Sequence, residues 1–110
     1  MKQHHLEDMF KGWFVGSFAP SAHDTNACEV AVKKYFKGDK EVLHHHKIAT
    51  EVTLILSGKV KMMDKIFQDG DIIVLEPSEA TDFEAITDAV TVVVKTPSVL
   101  GDKFLNDILL

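Results

Sequence analysis

The residues with the clearest chemical potential are three consecutive histidines and a glutamate in "GDKEVLHHHKIATEVTLILSG", residues 38–58. Alternate side chains of an extended strand share a face, so His44 and His46 point together and His45 points away. Glu51 follows a turn through "KIAT" and is expected on the neighbouring strand. Neutral imidazoles and an ionised carboxylate suit a divalent first-row metal near neutral pH. The spacing therefore predicts a metal site formed by His44, His46 and Glu51.

The elements that must position these side chains are short strands. Eight segments are rich in β-branched or aromatic residues, and clusters of Gly, Asp, Ser and Pro separate them. This pattern predicts a small all-β sandwich or barrel. The segments are "GWFVGSF", "CEVAVKKYF", "TEVTLILSG", "KVKMM", "DKIF", "DIIVLEP", "TDFEAI" and "AVTVVVK".

The two ends of the chain carry weaker patterns. The stretch "LEDMFKGW", residues 6–13, is compatible with a short helical turn or an extended arm. At the other end, Phe104, Leu105, Ile108 and Leu109 recur at helical spacing within "GDKFLNDILL". This spacing favours a short amphipathic helix over a strand.

Composition limits the class of protein. A chain of 110 residues with 45% hydrophobic content is expected to fold as one domain. A net charge of −5 without a basic cluster argues against nucleic-acid binding. The aliphatic runs are too short to span a bilayer, and the first residues lack the apolar stretch of a signal peptide. Cys28 is the only cysteine, which excludes an internal disulfide and favours a reducing compartment, the cytoplasm.

The histidine stretch resembles the first motif of the cupin superfamily, G-x5-H-x-H-x(3,4)-E-x6-G. Every fixed position of that motif is matched in this chain. The matching residues are Gly38, His44, His46, Glu51 and Gly58. Five matches at fixed spacing are far more specific than an isolated H-x-H.

The second cupin motif, G-x5-P-x-G-x2-H-x3-N, is degenerate in this chain. Counted from Gly70, Thr81 stands where the motif has its histidine. A shift of one residue restores the proline at Pro77 and places Asp82 at the histidine position instead. We favour the alignment with Thr81, and either alignment removes the motif's histidine.

The resemblance implies a double-stranded β-helix, the jelly-roll barrel of cupins, with at most short helices at its ends. It covers roughly residues 30–96 of a single domain spanning 1–110. Residues 1–29 then form an N-terminal arm and strand, and 97–110 a tail or short helix. Cupins commonly hold their metal with three histidines and a glutamate. Loss of the last histidine implies three protein ligands with more open positions, a weakened site, or no site.

Two functional hypotheses follow. The first is a metal-dependent enzyme of dioxygenase or isomerase type, with Zn, Fe, Mn or Ni acting on a small anionic, oxygen-rich substrate. Its only nearby acid or base candidates are Glu76, Glu79 and Asp82, beside a pocket-facing Thr81. The alternative is a non-catalytic cupin that binds or senses a small ligand, with or without metal, or that survives as a structural protein. In each case strands with mixed faces predict a homodimer, formed through a sheet edge or an outer sheet face.

Overall fold

A computed structural model describes residues 1–106 of the chain. Within this range the chain forms a 3-10 helix at Leu6–Asp8 and eleven strands, so the expected all-β fold is confirmed. The strands are β1 (Trp13–Gly16), β2 (His23–Asp24), β3 (Glu29–Tyr35), β4 (Lys40–His45), β5 (Thr50–Ser57), β6 (Lys59–Met62), β7 (Lys65–Gln68), β8 (Ile72–Leu75), β9 (Ala80–Ala85), β10 (Ala89–Thr96) and β11 (Phe104–Leu105). No helix in residues 1–106 has both the length and the apolar character that crossing a membrane requires.

The strands form two sheets. One has the order β2-β1-β3-β10-β5-β8, and the other has the order β11-β4-β9-β6-β7. Neighbouring strands run antiparallel except β1 and β2. Consecutive strands β4 and β5 therefore lie in different sheets, and Glu51 is not on the strand beside the histidines as the sequence suggested. It lies on the other layer of the sandwich.

The interior is apolar at one end and polar at the other. The apolar end is a cluster of buried side chains from both sheets: Ile55, Val60, Met62, Phe83, Ala85 and Ala89. The turn from β5 to β6 closes this end at Gly58, whose φ of +97° favours glycine. A Cβ at this position would lie 2.3 Å from the carbonyl oxygen of Asp88. The tight turn therefore requires this motif glycine. The candidate site lies at the other, polar end of the interior.

The predicted C-terminal helix is wrong where the structure describes it. Phe104 and Leu105 form β11, which pairs with β4 opposite His45 and His44. Pairing with the open edge of β4 outweighs the weak helical spacing, because it satisfies backbone groups that the edge would otherwise expose. Ile108 and Leu109, the other half of that pattern, lie outside the described residues. At the N-terminus, the sequence left a helical turn and an extended arm open for residues 6–13, and the structure has the 3-10 helix at Leu6–Asp8.

The outer face of the six-stranded sheet is apolar across four strands. Cross-strand pairing places its outward side chains in two rows, and each of them is at least partly exposed. One row contains Val30, Val94, Val52 and Val74, and the other contains Val32, Val92, Leu54 and Ile72. Such a contiguous apolar surface is unusual on a monomeric soluble protein and is typical of an interface.

We propose that these two rows form the interface of a homodimer. A second copy is the partner that fits, because the rows carry no charge and a two-fold axis lets identical patches cover each other. Val74, 48% exposed on edge strand β8, allows a test. We expect Val74→Lys to sediment as a monomer at micromolar concentrations where the parent chain is a dimer. Ile66→Lys, at a residue 55% exposed on β7 of the other sheet, should leave the dimer intact. A monomeric parent chain would contradict the proposal.

Candidate functional site

The three consecutive histidines lie at the end of β4 and one residue beyond it, and their side chains alternate as their spacing predicted. His44 and His46 are each only 6% exposed, and both rings lie in the interior with their centroids 5.9 Å apart. His45 points to the other side of the strand. Its Nδ1 is 2.7 Å from Asn106 Oδ1, and its ring stacks on Phe104. The predicted register of β4 is therefore confirmed.

A backbone carbonyl sets the tautomer of His44. Its Nδ1 lies 2.8 Å from the Val42 carbonyl oxygen, which can only accept a hydrogen bond. Nδ1 therefore carries the proton, and the lone pair is on Nε2. This is the arrangement by which proteins prepare a histidine to bind a metal through Nε2.

Glu51 approaches His46 from the opposite sheet. Its Oε2 lies 4.0 Å from His46 Nδ1, and only 13% of its side chain is exposed. Burial raises the pKa of Glu51, and the charges of Lys95 and Lys33 and the nearby His44 partly oppose that rise. A buried carboxylate of this kind requires a cationic or hydrogen-bonding partner.

Lys95 is the cation closest to His46. Its Nζ lies 3.3 Å from His46 Nε2 and 3.5 Å from Glu29 Oε1. Burial, followed by Lys95 and His44, lowers the pKa of His46 from its ordinary 6.5 to about 4. His46 is therefore neutral at pH 7 and accepts a hydrogen bond from the ammonium group. A divalent ion bound through this nitrogen would have to displace that ammonium group.

The carboxylate of Asp102 holds the loop between His46 and Glu51. It accepts hydrogen bonds from the backbone N–H groups of Lys47, Ile48 and Ala49, over 2.9–3.2 Å. Burial raises the pKa of Asp102, but these bonds outweigh burial and hold the pKa below its ordinary value. Asp102 is remote in sequence from the histidine motif, and no local pattern marks it.

The side chains of His44, His46 and Glu51 are of the right chemical type to bind a metal, but they are not spaced as metal ligands. Two neutral imidazoles and a carboxylate are ordinary ligands for a divalent ion. Within residues 1–106, however, no three His, Cys, Asp or Glu side chains are close enough together to hold an ion as they stand. Assignment of His44, His46 and Glu51 as ligands stays a prediction.

Of the candidates from the second motif, Thr81 faces the cavity and Asp82 does not, as the favoured alignment predicted. Thr81 pairs with His44 across β4 and β9, is buried, and lines the interior cavity. Asp82 is exposed and accepts a hydrogen bond from the backbone N–H of Met63. Glu76 and Glu79 are exposed in the turn between β8 and β9, where Glu79 Oε1 accepts the Glu76 N–H. The structure thus brings only Thr81 of these four candidates to the cavity.

The cavity also contains polar residues that sequence reasoning missed. Lys33 and Glu41 form an ion pair at 3.7 Å, beside Tyr35. Burial lowers the pKa of Lys33, although Glu41 opposes that effect. Alternation along β3 could have found Lys33 and Tyr35, because they share a face with Ala31, which is fully buried. The cavity has a volume of only about 30 Å³, which is enough for about one water molecule.

Comparison with solved structures identifies the architecture. The chain is similar to an uncharacterized conserved protein with a double-stranded β-helix domain from Klebsiella pneumoniae. Their identity is 20% over 76% of this chain and 74% of that one, with a TM-score of 0.70. It is also similar to an RmlC-like cupin from Shewanella frigidimarina, at 15% identity over 69% and 71% of the two chains and a TM-score of 0.64. The protein has the cupin fold.

Other cupin structures resemble the chain over a smaller part of their own length. A sugar phosphate isomerase of the cupin superfamily from Silicibacter pomeroyi is 17% identical over 74% of this chain and 58% of that one, with a TM-score of 0.65. The DMSP lyase DddQ from Ruegeria pomeroyi is 15% identical over 86% and 49%, with a TM-score of 0.67. No protein-family profile and no curated protein matches the sequence. At these identities the likeness shows the cupin fold, which is the fold that the first motif implied.

Neutral His46 makes the metal-free cupin barrel sensitive to acid. Its pKa is about 4 in the folded protein and 6.5 ordinarily, so the unfolded chain binds more protons between these values. Stability is therefore complete above pH 6.5 and falls by up to roughly 3 kcal/mol as the pH drops to 4. Urea unfolding of chelator-treated protein across this window should show that loss. His46→Gln should reduce the dependence of the free energy of unfolding on pH in this window, whereas His45→Gln should leave that dependence unchanged. Identical slopes in the two variants would contradict the assignment.

Removal of the Asp102 carboxylate should destabilise the fold. Asp102→Ala leaves three backbone N–H groups without their acceptor, so we expect a loss of roughly 2–4 kcal/mol in the free energy of unfolding. Chemical denaturation measures this change. Asp24→Ala, at an exposed residue of β2, is the matched control and should cost under about 0.5 kcal/mol. Equal effects of the two substitutions would show that the loop does not depend on Asp102.

Proposed function

We propose that the protein is a metal-dependent enzyme acting on a small anionic, oxygen-rich substrate. The single observation that carries this proposal is that the two buried histidines of the first motif face a largely buried glutamate from the opposite sheet, with Glu51 Oε2 4.0 Å from His46 Nδ1. These three side chains would hold a divalent ion. Such an ion, when bound, polarises a carbonyl or enolate oxygen of a substrate.

The charge around the barrel supports an anionic substrate. A surface groove of about 790 Å³ shares Lys33, Tyr35 and Glu41 with the interior cavity, so it leads to the polar end of the barrel. Five lysines and three carboxylates line this groove, although the whole chain has a net charge of −5. The lysines are Lys11, Lys33, Lys34, Lys40 and Lys103. A local excess of cations concentrates anions at the entrance.

The chain's own residues suggest how a substrate would be held. Lys33 can bind a substrate oxygen at the inner end of the groove, because it lines both the groove and the cavity. Glu41, 3.7 Å from that ammonium group, positions Lys33. The cavity has room for about one water molecule, so at most the reacting group would reach His44 and Glu51, and the rest of the substrate would stay in the groove. The isomerase and the lyase among the similar structures are enzymes in the same fold.

A specific contact favours the alternative, a non-catalytic cupin that binds a small ligand. The ammonium group of Lys95 lies against His46 Nε2, where a divalent ion would otherwise bind. A barrel that supplies this cation internally could bind an anion without any metal. Metal content and turnover separate the two functions.

The decisive experiment is elemental analysis of protein purified without chelators or a histidine tag. We expect about one equivalent of a divalent metal, with a loss of most of it in His44→Ala and in His46→Ala. His45→Ala is the matched control because its ring lies outside the interior, and it should keep the metal. A parent chain that binds no Zn, Fe, Mn or Ni on reconstitution would exclude the enzyme hypothesis as stated and favour the ligand-binding cupin.

A further inference from the structure

A second cavity lies beside the barrel, between β1 and the segment that follows β10. It has a volume of about 250 Å³, far larger than the interior cavity. Phe10, Trp13, Phe18 and Leu100 supply apolar surface, whereas Lys95 and Lys103 supply ammonium groups. Its size is slightly below the usual range for drug-sized ligands, which indicates a smaller molecule.

Most charged groups in this cavity already have partners. Glu29 pairs with Lys95 at 3.5 Å and accepts a hydrogen bond from Ser98 Oγ at 2.8 Å. The carboxylate of Asp102 accepts the three backbone hydrogen bonds described above. Lys103 is exposed and forms no ion pair with any residue of 1–106. Among these four charged groups, the Lys103 ammonium retains donors that a ligand can use.

We propose that this cavity is a binding site for a small organic acid with a compact apolar group. The apolar group would contact the aromatic side chains, and the carboxylate would accept hydrogen bonds from Lys103. An aromatic wall with one available cation gives orientation as well as affinity, because each end of such a ligand has its own partner. This site shares Lys103 with the proposed substrate groove. Its apolar wall lies outside that groove, and the inference requires no bound metal.

The position of Trp13 makes the site directly observable. Trp13 is the only tryptophan of the chain, and Lys95 Nζ lies 4.8 Å from its ring centroid. A ligand in the cavity changes the surroundings of that ring and hence its fluorescence. Benzoate, benzyl alcohol and benzylamine share one apolar group and differ in charge, so they are suitable probes.

The test titrates chelator-treated protein with each probe and follows Trp13 emission. We expect saturable binding with benzoate tightest and benzylamine weakest. Lys103→Gln should weaken the affinity for benzoate by roughly two- to fivefold and leave the affinity for benzyl alcohol nearly unchanged. Leu100→Ala, at a residue 73% exposed and therefore safe for folding, should weaken both by roughly threefold or more. Phe36→Ala, at an exposed aromatic outside this cavity, should change neither.

His44→Ala separates this inference from the proposed function. It should bind benzoate like the parent chain, because His44 lines the interior cavity and not this one. Binding that disappears in His44→Ala but survives in Leu100→Ala would place the ligand at the barrel interior and overturn the inference. Equal affinities for the three probes would overturn the carboxylate class, and an emission spectrum that no probe changes would overturn the site.

Discussion

The structure around the histidines depends on one carboxylate. Asp102 accepts the N–H groups of three consecutive residues in the loop that carries the chain from one sheet to the other. His46 lies just before this loop and Glu51 just after it, so the loop determines their separation. The same hydrogen bonds fix the position of the segment around Asp102, which lines the second cavity and leads into β11. One set of hydrogen bonds thus orders the interior site and its surroundings together.

Local periodicity predicted more of the site than of its surroundings. Alternation along β4 placed His44 and His46 inside and His45 outside, and the favoured alignment placed Thr81 inside and Asp82 outside. These predictions succeed because a strand fixes the direction of each side chain from its neighbour. The sheet to which Glu51 belongs and the role of Asp102 depend on contacts between distant parts of the chain. Nothing in the local sequence encodes them.

Strand β3 reverses the usual arrangement of polar and apolar faces. On β3, Lys33 and Tyr35 point into the barrel whereas Val30 and Val32 point out. From the sequence alone, the valines would have been the better candidates for the core. The charges are tolerated inside because they occur in pairs, such as Lys33 with Glu41. Such pairing is a property of the folded state, which is why the sequence left the two faces of β3 undecided.

The placement of Glu51 on the opposite sheet from the histidines has a mechanical consequence. Anything that binds His44 or His46 together with Glu51 joins the two layers of the sandwich across its polar end. Such a link would add to the apolar cluster, whose members Met62 and Phe83 line the same cavity as His44 and Glu51. A bound ion or ligand would therefore hold the two sheets together at this end. Its departure would allow the sheets to move apart as units, and the effect would not be limited to a single loop. Occupancy of the site is then coupled to the opening of the barrel, and this coupling would be visible in the amide hydrogen exchange of strands in both sheets.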